Sequence, residues 1–198
     1  MTDGAARFTA RYSRVWHVIE ADGAGAWLAE TGLLPAADLR QDDGNRDDFC
    51  SVELGNGRIA VLRPQLMPDH RLLPTLGGAF TDRPDQWRRH VNRHVFFWAE
   101  PRRRDAFARA CMRSRRIGLP PLMLAVDTEA LLAEHADIAF FAAINTGSTV
   151  RGGGRARRDE NTLRPVADYQ SGPVAELAIR GRVHLSALAV ETTAASST

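Results

Sequence analysis

Arg14-Val15-Trp16-His17-Val18-Ile19, near the start of the chain, reads as a buried β-strand that carries one polar, chemically able side chain. Near the other end, Val174-Ala175-Glu176-Leu177-Ala178-Ile179 does the same with a carboxylate. A histidine or glutamate taken out of water is costly unless it gains a partner or a ligand. These two strands are therefore where chemistry is expected, with His17 and Glu176 facing one cleft. A second reading stays open for the glutamate: Ala175, Leu177 and Ile179 lie on the opposite side of an alternating strand, which would leave Glu176 facing solvent.

Between the two strands the pattern alternates short strands with helices. Asp22–Glu30 reads as a helix, with Asp22 as N-cap and Gly32 as its stop. Residues 36–56 are acidic and rich in Gly and Asn, the composition of an exposed loop, and Gly57–Arg63 reads as a strand. Pro84–Val91 is a predicted helix and His94–Ala99 a predicted buried strand. Pro101–Arg116 is a basic amphipathic helix opened by proline and stopped at Gly118. Leu122–Val126 is a predicted strand, Thr128–His135 a helix capped by Asp127, and Ile138–Ile144 a strand. Asn145–Arg164 is a long polar stretch with three consecutive glycines and five arginines, the length of a functional loop or of a disordered one. The last strands fall in Val174–Arg180 and Val183–Val190. The Thr/Ala/Ser tail over 192–198 is expected to be disordered, leaving one domain over 1–191.

Composition removes several mechanisms. All 26 basic residues of the 198 are arginine. Without lysine there is no P-loop or kinase-type lysine and no Schiff base with a carbonyl substrate. The net charge of +2 hides an asymmetry: residues 20–70 hold ten acids against four arginines, and residues 86–118 hold ten arginines against Glu100 and Asp105. A basic face is expected. Cys50 and Cys111 form neither a zinc spacing nor a disulfide framework, and no apolar run reaches membrane length, so a cytoplasmic protein with reduced thiols is expected. His90 and His94 stand four apart without a carboxylate to complete a site, and no metal is expected. Gly147-Ser148-Thr149-Val150-Arg151 lacks the closing glycine of a nucleophile elbow, and the triple glycine lacks Rossmann spacing.

Trp16-His17-Val18 on a first strand, followed by Thr31-Gly32-Leu33-Leu34, resembles the opening of bacterial ADP-ribosyltransferase-fold proteins. The likeness is to the DNA-modifying ADP-ribosyltransferase toxins in particular and, more distantly, to RNA 2′-phosphotransferases. Val95-Phe96-Phe97-Trp98 resembles the central aromatic strand of that family, and Val174–Ile179 resembles the strand that carries its catalytic glutamate. Asp127-Thr128-Glu129-Ala130-Leu131 with Ile144-Asn145-Thr146-Gly147-Ser148 is similar to a related group of uncharacterised bacterial proteins. The toxins have a longer segment where this chain keeps only the aromatic core and Glu100-Pro101-Arg102, and Ile19-Glu20 replaces their threonine.

The resemblance implies an α+β fold, a split pair of small β-sheets with flanking helices, and a cleft for NAD between them. It implies Glu176 as the catalytic residue and His17, Trp16, Phe97, Trp98, Arg93 and Asn145 as residues that bind NAD. It further implies a substrate loop with Arg151, Arg155, Arg157 and Arg158, whose arginines would meet DNA or RNA phosphates. The activity implied is mono-ADP-ribosyl transfer by a toxin or defence protein with an antitoxin partner. The alternatives are a catalytically inactive nucleotide- or nucleic-acid-binding module of the same fold and an RNA 2′-phosphotransferase-like enzyme. ADP-ribosyl transfer passes through an oxocarbenium-like transition state, for which a carboxylate near the ribose is the fitting group.

Overall fold

A computed structural model describes residues 1–19, 32–43, 45, 48–55, 57–113, 122–149, 155–184 and 190–194. The helix expected over Asp22–Glu30 lies outside the described residues, as does Arg151.

One strand decides the arrangement. β1 (Arg14–Ile19) pairs along its whole length with β5 (Leu122–Asp127), from Arg14 opposite Asp127 to Ile19 opposite Leu122. On its other edge β1 meets β4 (His94–Trp98) at a single position, Trp16 opposite Trp98. β4 in turn pairs fully with β8 (Glu176–Arg180), which pairs with β6 (Ala139–Ala142). Short β7 (Arg164–Pro165) and β9 (Val190–Ala194) complete an antiparallel sheet in the order β7-β6-β8-β4-β1-β5-β9. Its two halves are thus joined by one residue pair. β2 (Cys50–Gly55) and β3 (Arg58–Leu62) form a separate hairpin. The chain is mixed α and β, as expected, with one seven-stranded sheet that is nearly parted between β1 and β4 and a separate two-stranded hairpin.

Residues opposite one another in an antiparallel pair share a face of the sheet. Val15, Val95, Phe97, Leu124, Val126, Leu177 and Ile179 therefore form one apolar face, and all are buried in the main core. That face is covered by α1 (Asp3–Arg11), α6 (Thr128–His135) and Tyr169, with Phe8, Tyr12, Phe141 and Tyr169 meeting edge-on or tilted at 5.1–6.4 Å. α1 packs this close because Gly4 has no side chain: a Cβ there would lie 2.0 Å from the Ala167 carbonyl oxygen. Asp127 caps α6 as expected, accepting from the Ala130 amide at 2.9 Å.

The other face carries Phe96, Ala178, Phe140 and Ala142, packed against Leu163 and against Met67, Leu72, Trp87 and Val91. Trp87 and Val91 belong to α4 (Pro84–Asn92), which proline opens at its first turn. α5 (Pro101–Arg113) starts likewise and lies over β1 and β4, with Arg104 on the Trp16 ring at 4.7 Å and Phe107 against Trp98 at 5.4 Å.

Two expectations fail, and a third is narrowed. Residues 36–56 are not simply a loop: they hold α2 (Ala36–Arg40) and β2, whose Val52 and Leu54 alternate with polar neighbours. The tail expected to be disordered from Thr192 instead continues β9 to Ala194. The stretch 145–164 is tied down where it is described: Ser148 bridges Leu66, and Arg158 bridges Leu76, both in parallel. α3 (Asp69–Leu72) lies between those two bridge points. No described helix is long and apolar enough to cross a membrane.

Candidate active site

β8 begins with the residue the sequence singles out. Glu176 stands opposite Trp98 on β4 and opposite Ala142 on β6, and Trp98 stands opposite Trp16 on β1. Ala142, Glu176, Trp98 and Trp16 therefore form one row across the sheet, on the face that α5 partly covers. Glu176 is 4% exposed, which excludes the reading in which it faces solvent. Trp16 and Trp98 are half-buried.

The chain leaving β6 supplies the partner. The Thr146 amide and hydroxyl both donate to Oε2 of Glu176, at 2.9 and 2.8 Å. Among the described residues Oε1 takes no hydrogen bond. Burial pushes the Glu176 carboxyl up to about 7, against the lowering effect of the two Thr146 donors and the more distant charges of Arg103 and Arg158. Desolvation outweighs all four. The result is a carboxyl held by one oxygen and poised between its acid and base forms near neutrality, which suits proton exchange or a strong hydrogen bond to a hydroxyl.

His17 is placed differently from the expectation. The regular alternation of β1 sets it on the face opposite Trp16, Trp98 and Glu176, where its ring lies 5.6 Å from that of Phe97. One shared pocket for His17 and Glu176 is thereby corrected. Nδ1 lies 2.7 Å from the Phe96 carbonyl oxygen and donates to it, because a carbonyl can only accept. That carbonyl points toward β1, since the alternate residues of β4 bond β8, as in the Ala99 amide to the Ala175 carbonyl. Beyond the single Trp16–Trp98 pair, the imidazole thus serves a carbonyl on the edge of β4 that faces the parted strand. Burial lowers the pKa of His17, with the Phe96 bond opposing it, so the ring is neutral with Nε2 as its acceptor nitrogen.

The remaining expected residues divide. Asn145 adjoins Thr146 and is half-buried. Phe97 is fully buried in the main core, so no face of it is open to a nicotinamide ring. Arg93 is exposed, and lies past the far end of β4 from Trp98, about 16 Å along the strand from the Glu176 row. It does not join that site. Arg155 and Arg157 are exposed, with Arg157 paired to Asp159 at 3.3 Å. Arg158, expected to meet nucleic-acid phosphates, is fully buried and donates to the carbonyls of Asn145, Ser148 and Ala156. On the basic helix, Arg103 pairs with Glu100 and Arg104 with Asp105, while Arg102 and Arg109 are exposed.

His90 and His94 do not form a metal pair with further ligands. Their rings meet edge-on at 5.3 Å, and His94 Nδ1 donates to the His90 carbonyl at 3.0 Å. Among the described residues no group of three or more His, Cys, Asp or Glu is arranged to hold a metal ion. Thr146 was not singled out from the sequence as a functional residue. Its pairing with Glu176 spans thirty positions and depends on the β6–β8 register.

A family model described as a family of unknown function (DUF7002) matches residues 13–190. The chain belongs to that family. No curated protein and no solved structure matches it. The match begins one residue before β1 and ends at the first residue of β9, so it takes in the whole Glu176 row and both of the segments that flank it.

Proposed function

We propose that this member of DUF7002 is an NAD-dependent mono-ADP-ribosyltransferase that acts through Glu176. The observation that carries the reading is the buried carboxyl with Oε2 fixed by Thr146, Oε1 taking no bond among the described residues, and two half-buried tryptophans in the same row. Oε1 would accept from a hydroxyl of the nicotinamide ribose. The ionised carboxylate would favour positive charge as the bond from the ribose to nicotinamide breaks and nicotinamide leaves with the electron pair. An acceptor nucleophile then attacks the same ribose carbon and gives up its proton. Trp98 and Trp16 offer flat surfaces for the base. The finer fold assignment, an ADP-ribosyltransferase-like sheet split, rests on the single residue pair that joins β1 to β4 and on the order of the motifs along the chain.

A catalytically silent nucleotide-binding module of the same fold is the second reading, favoured by the position of His17 across the sheet from Glu176. The exposed Arg102, Arg109, Arg155 and Arg157 offer charge to a nucleic-acid acceptor or partner. The test is nicotinamide release from NAD by the purified chain, alone and with DNA, RNA or protein as acceptor. Release in any arm supports the enzyme. NAD binding without release in every arm supports the silent module, and neither binding nor release contradicts both.

A further inference from the structure

Arg158 is fully buried, and an arginine is rarely taken out of water without hydrogen-bond partners for its charged end. Its two Nη atoms donate to backbone carbonyls: Ala156 at 2.8 Å through Nη1, and Asn145 at 3.2 Å and Ser148 at 2.8 Å through Nη2. Asn145 and Ser148 bracket Thr146, the residue whose amide and hydroxyl hold Glu176. Arg158 is itself anchored from outside that loop, its amide donating to the Thr75 carbonyl at 2.7 Å and its carbonyl accepting from the Gly77 amide at 3.0 Å. On the other side the loop is tied to Leu66 through the Thr149 amide at 2.9 Å.

We infer that Arg158 is the positioning residue of the site: its fork fixes the Asn145–Ser148 turn so that Thr146 presents both donors to one oxygen of Glu176 and leaves the other for a ligand. The inference concerns the site named in the proposed function, but its geometry does not depend on NAD being the ligand. Lysine in place of Arg158 retains the positive charge but has one nitrogen where Arg158 uses two, Nη2 for the Asn145 and Ser148 carbonyls and Nη1 for that of Ala156. Any change in Glu176 on that substitution therefore reports the turn and not the charge.

The experiment is the titration of Glu176, followed by carbon-detected NMR of the side-chain carboxyl in the full chain, assigned by its loss in Glu176→Gln. In Arg158→Lys the carboxyl should titrate higher than in the parent by about half a unit or more, because weakened Thr146 donation favours the neutral acid. Thr146→Ser, which keeps the hydroxyl, should titrate like the parent, and Thr146→Val should rise as Arg158→Lys does. An unchanged or lowered titration in a folded Arg158→Lys protein overturns the inference. If Arg158→Lys does not fold, Arg158→Gln is read instead by the hydrogen-exchange protection of the Thr146 amide, because the lost charge alone raises Glu176: lowered protection supports the inference and unchanged protection overturns it. Failure of both to fold makes Arg158 a residue of the fold alone and also overturns it. Nicotinamide release has no part in this readout, so failure of the NAD reading would be seen separately.

Discussion

Glu176→Gln will lower nicotinamide release from NAD by about a thousandfold while leaving NAD affinity within about threefold of the parent. Glutamine keeps the shape of the side chain and an oxygen able to accept from Thr146, so the row through Trp98 and Trp16 is retained. What it removes is the charge that appears opposite the developing oxocarbenium ion. An interaction made only in the transition state affects turnover and spares ground-state binding. Release rates and NAD binding, measured on the same folded preparations, decide it. A variant as active as the parent removes Glu176 from the chemistry.

The same substitution should change how stability depends on pH. Glu176 is raised to about 7 in the folded chain from an ordinary 4.5, so the folded state holds a proton that the unfolded state has lost between those values. Its contribution is full below pH 4.5 and is lost as pH rises to about 7. Buried His94 has the opposite sign: desolvation, with neighbouring His90 adding to it, lowers it to about 4, so its contribution is full above pH 6.5 and is lost as pH falls toward 4. In the parent the two trends oppose each other between pH 4.5 and 6.5. Removing the glutamate leaves the histidine trend alone. The stability of Glu176→Gln minus that of the parent should therefore rise by about 3 kcal/mol from pH 4.5 to pH 7 and then level off. Urea unfolding at stepped pH measures this directly, and a difference that does not vary with pH contradicts the buried, raised carboxyl.

Glu176 and His17 were legible in the sequence because each interrupts an apolar strand, and burial has consequences for polar groups wherever the strand goes. Which face each one occupies was not legible. That depends on the register of β1 against β4, and a single pair, Trp16 with Trp98, sets it. The Asp127 cap, the proline starts of α4 and α5, and the aromatic strand His94–Trp98 are local signals and matched the structure closely. α1 was missed because it carries one large buried apolar side chain, Phe8, and its docking depends on Gly4 meeting Ala167 far along the chain. Arg158 shows the limit of composition most plainly. It is one of five arginines in a polar stretch, and nothing local separates the buried one from the exposed Arg155 and Arg157; the bridge to Leu76 and the turn at Asn145–Ser148 do so. Thr146 was hidden for the same reason.

The most direct test of the central claim is an experimental structure of the chain with NAD bound, using Glu176→Gln to prevent turnover. A hydroxyl of the nicotinamide ribose should lie within hydrogen-bond distance of the position of Oε1, with Thr146 still donating to the other side of residue 176 and the nicotinamide ring against Trp98 or Trp16. NAD seated on the opposite face of the sheet, beside His17 and away from residue 176, would contradict it.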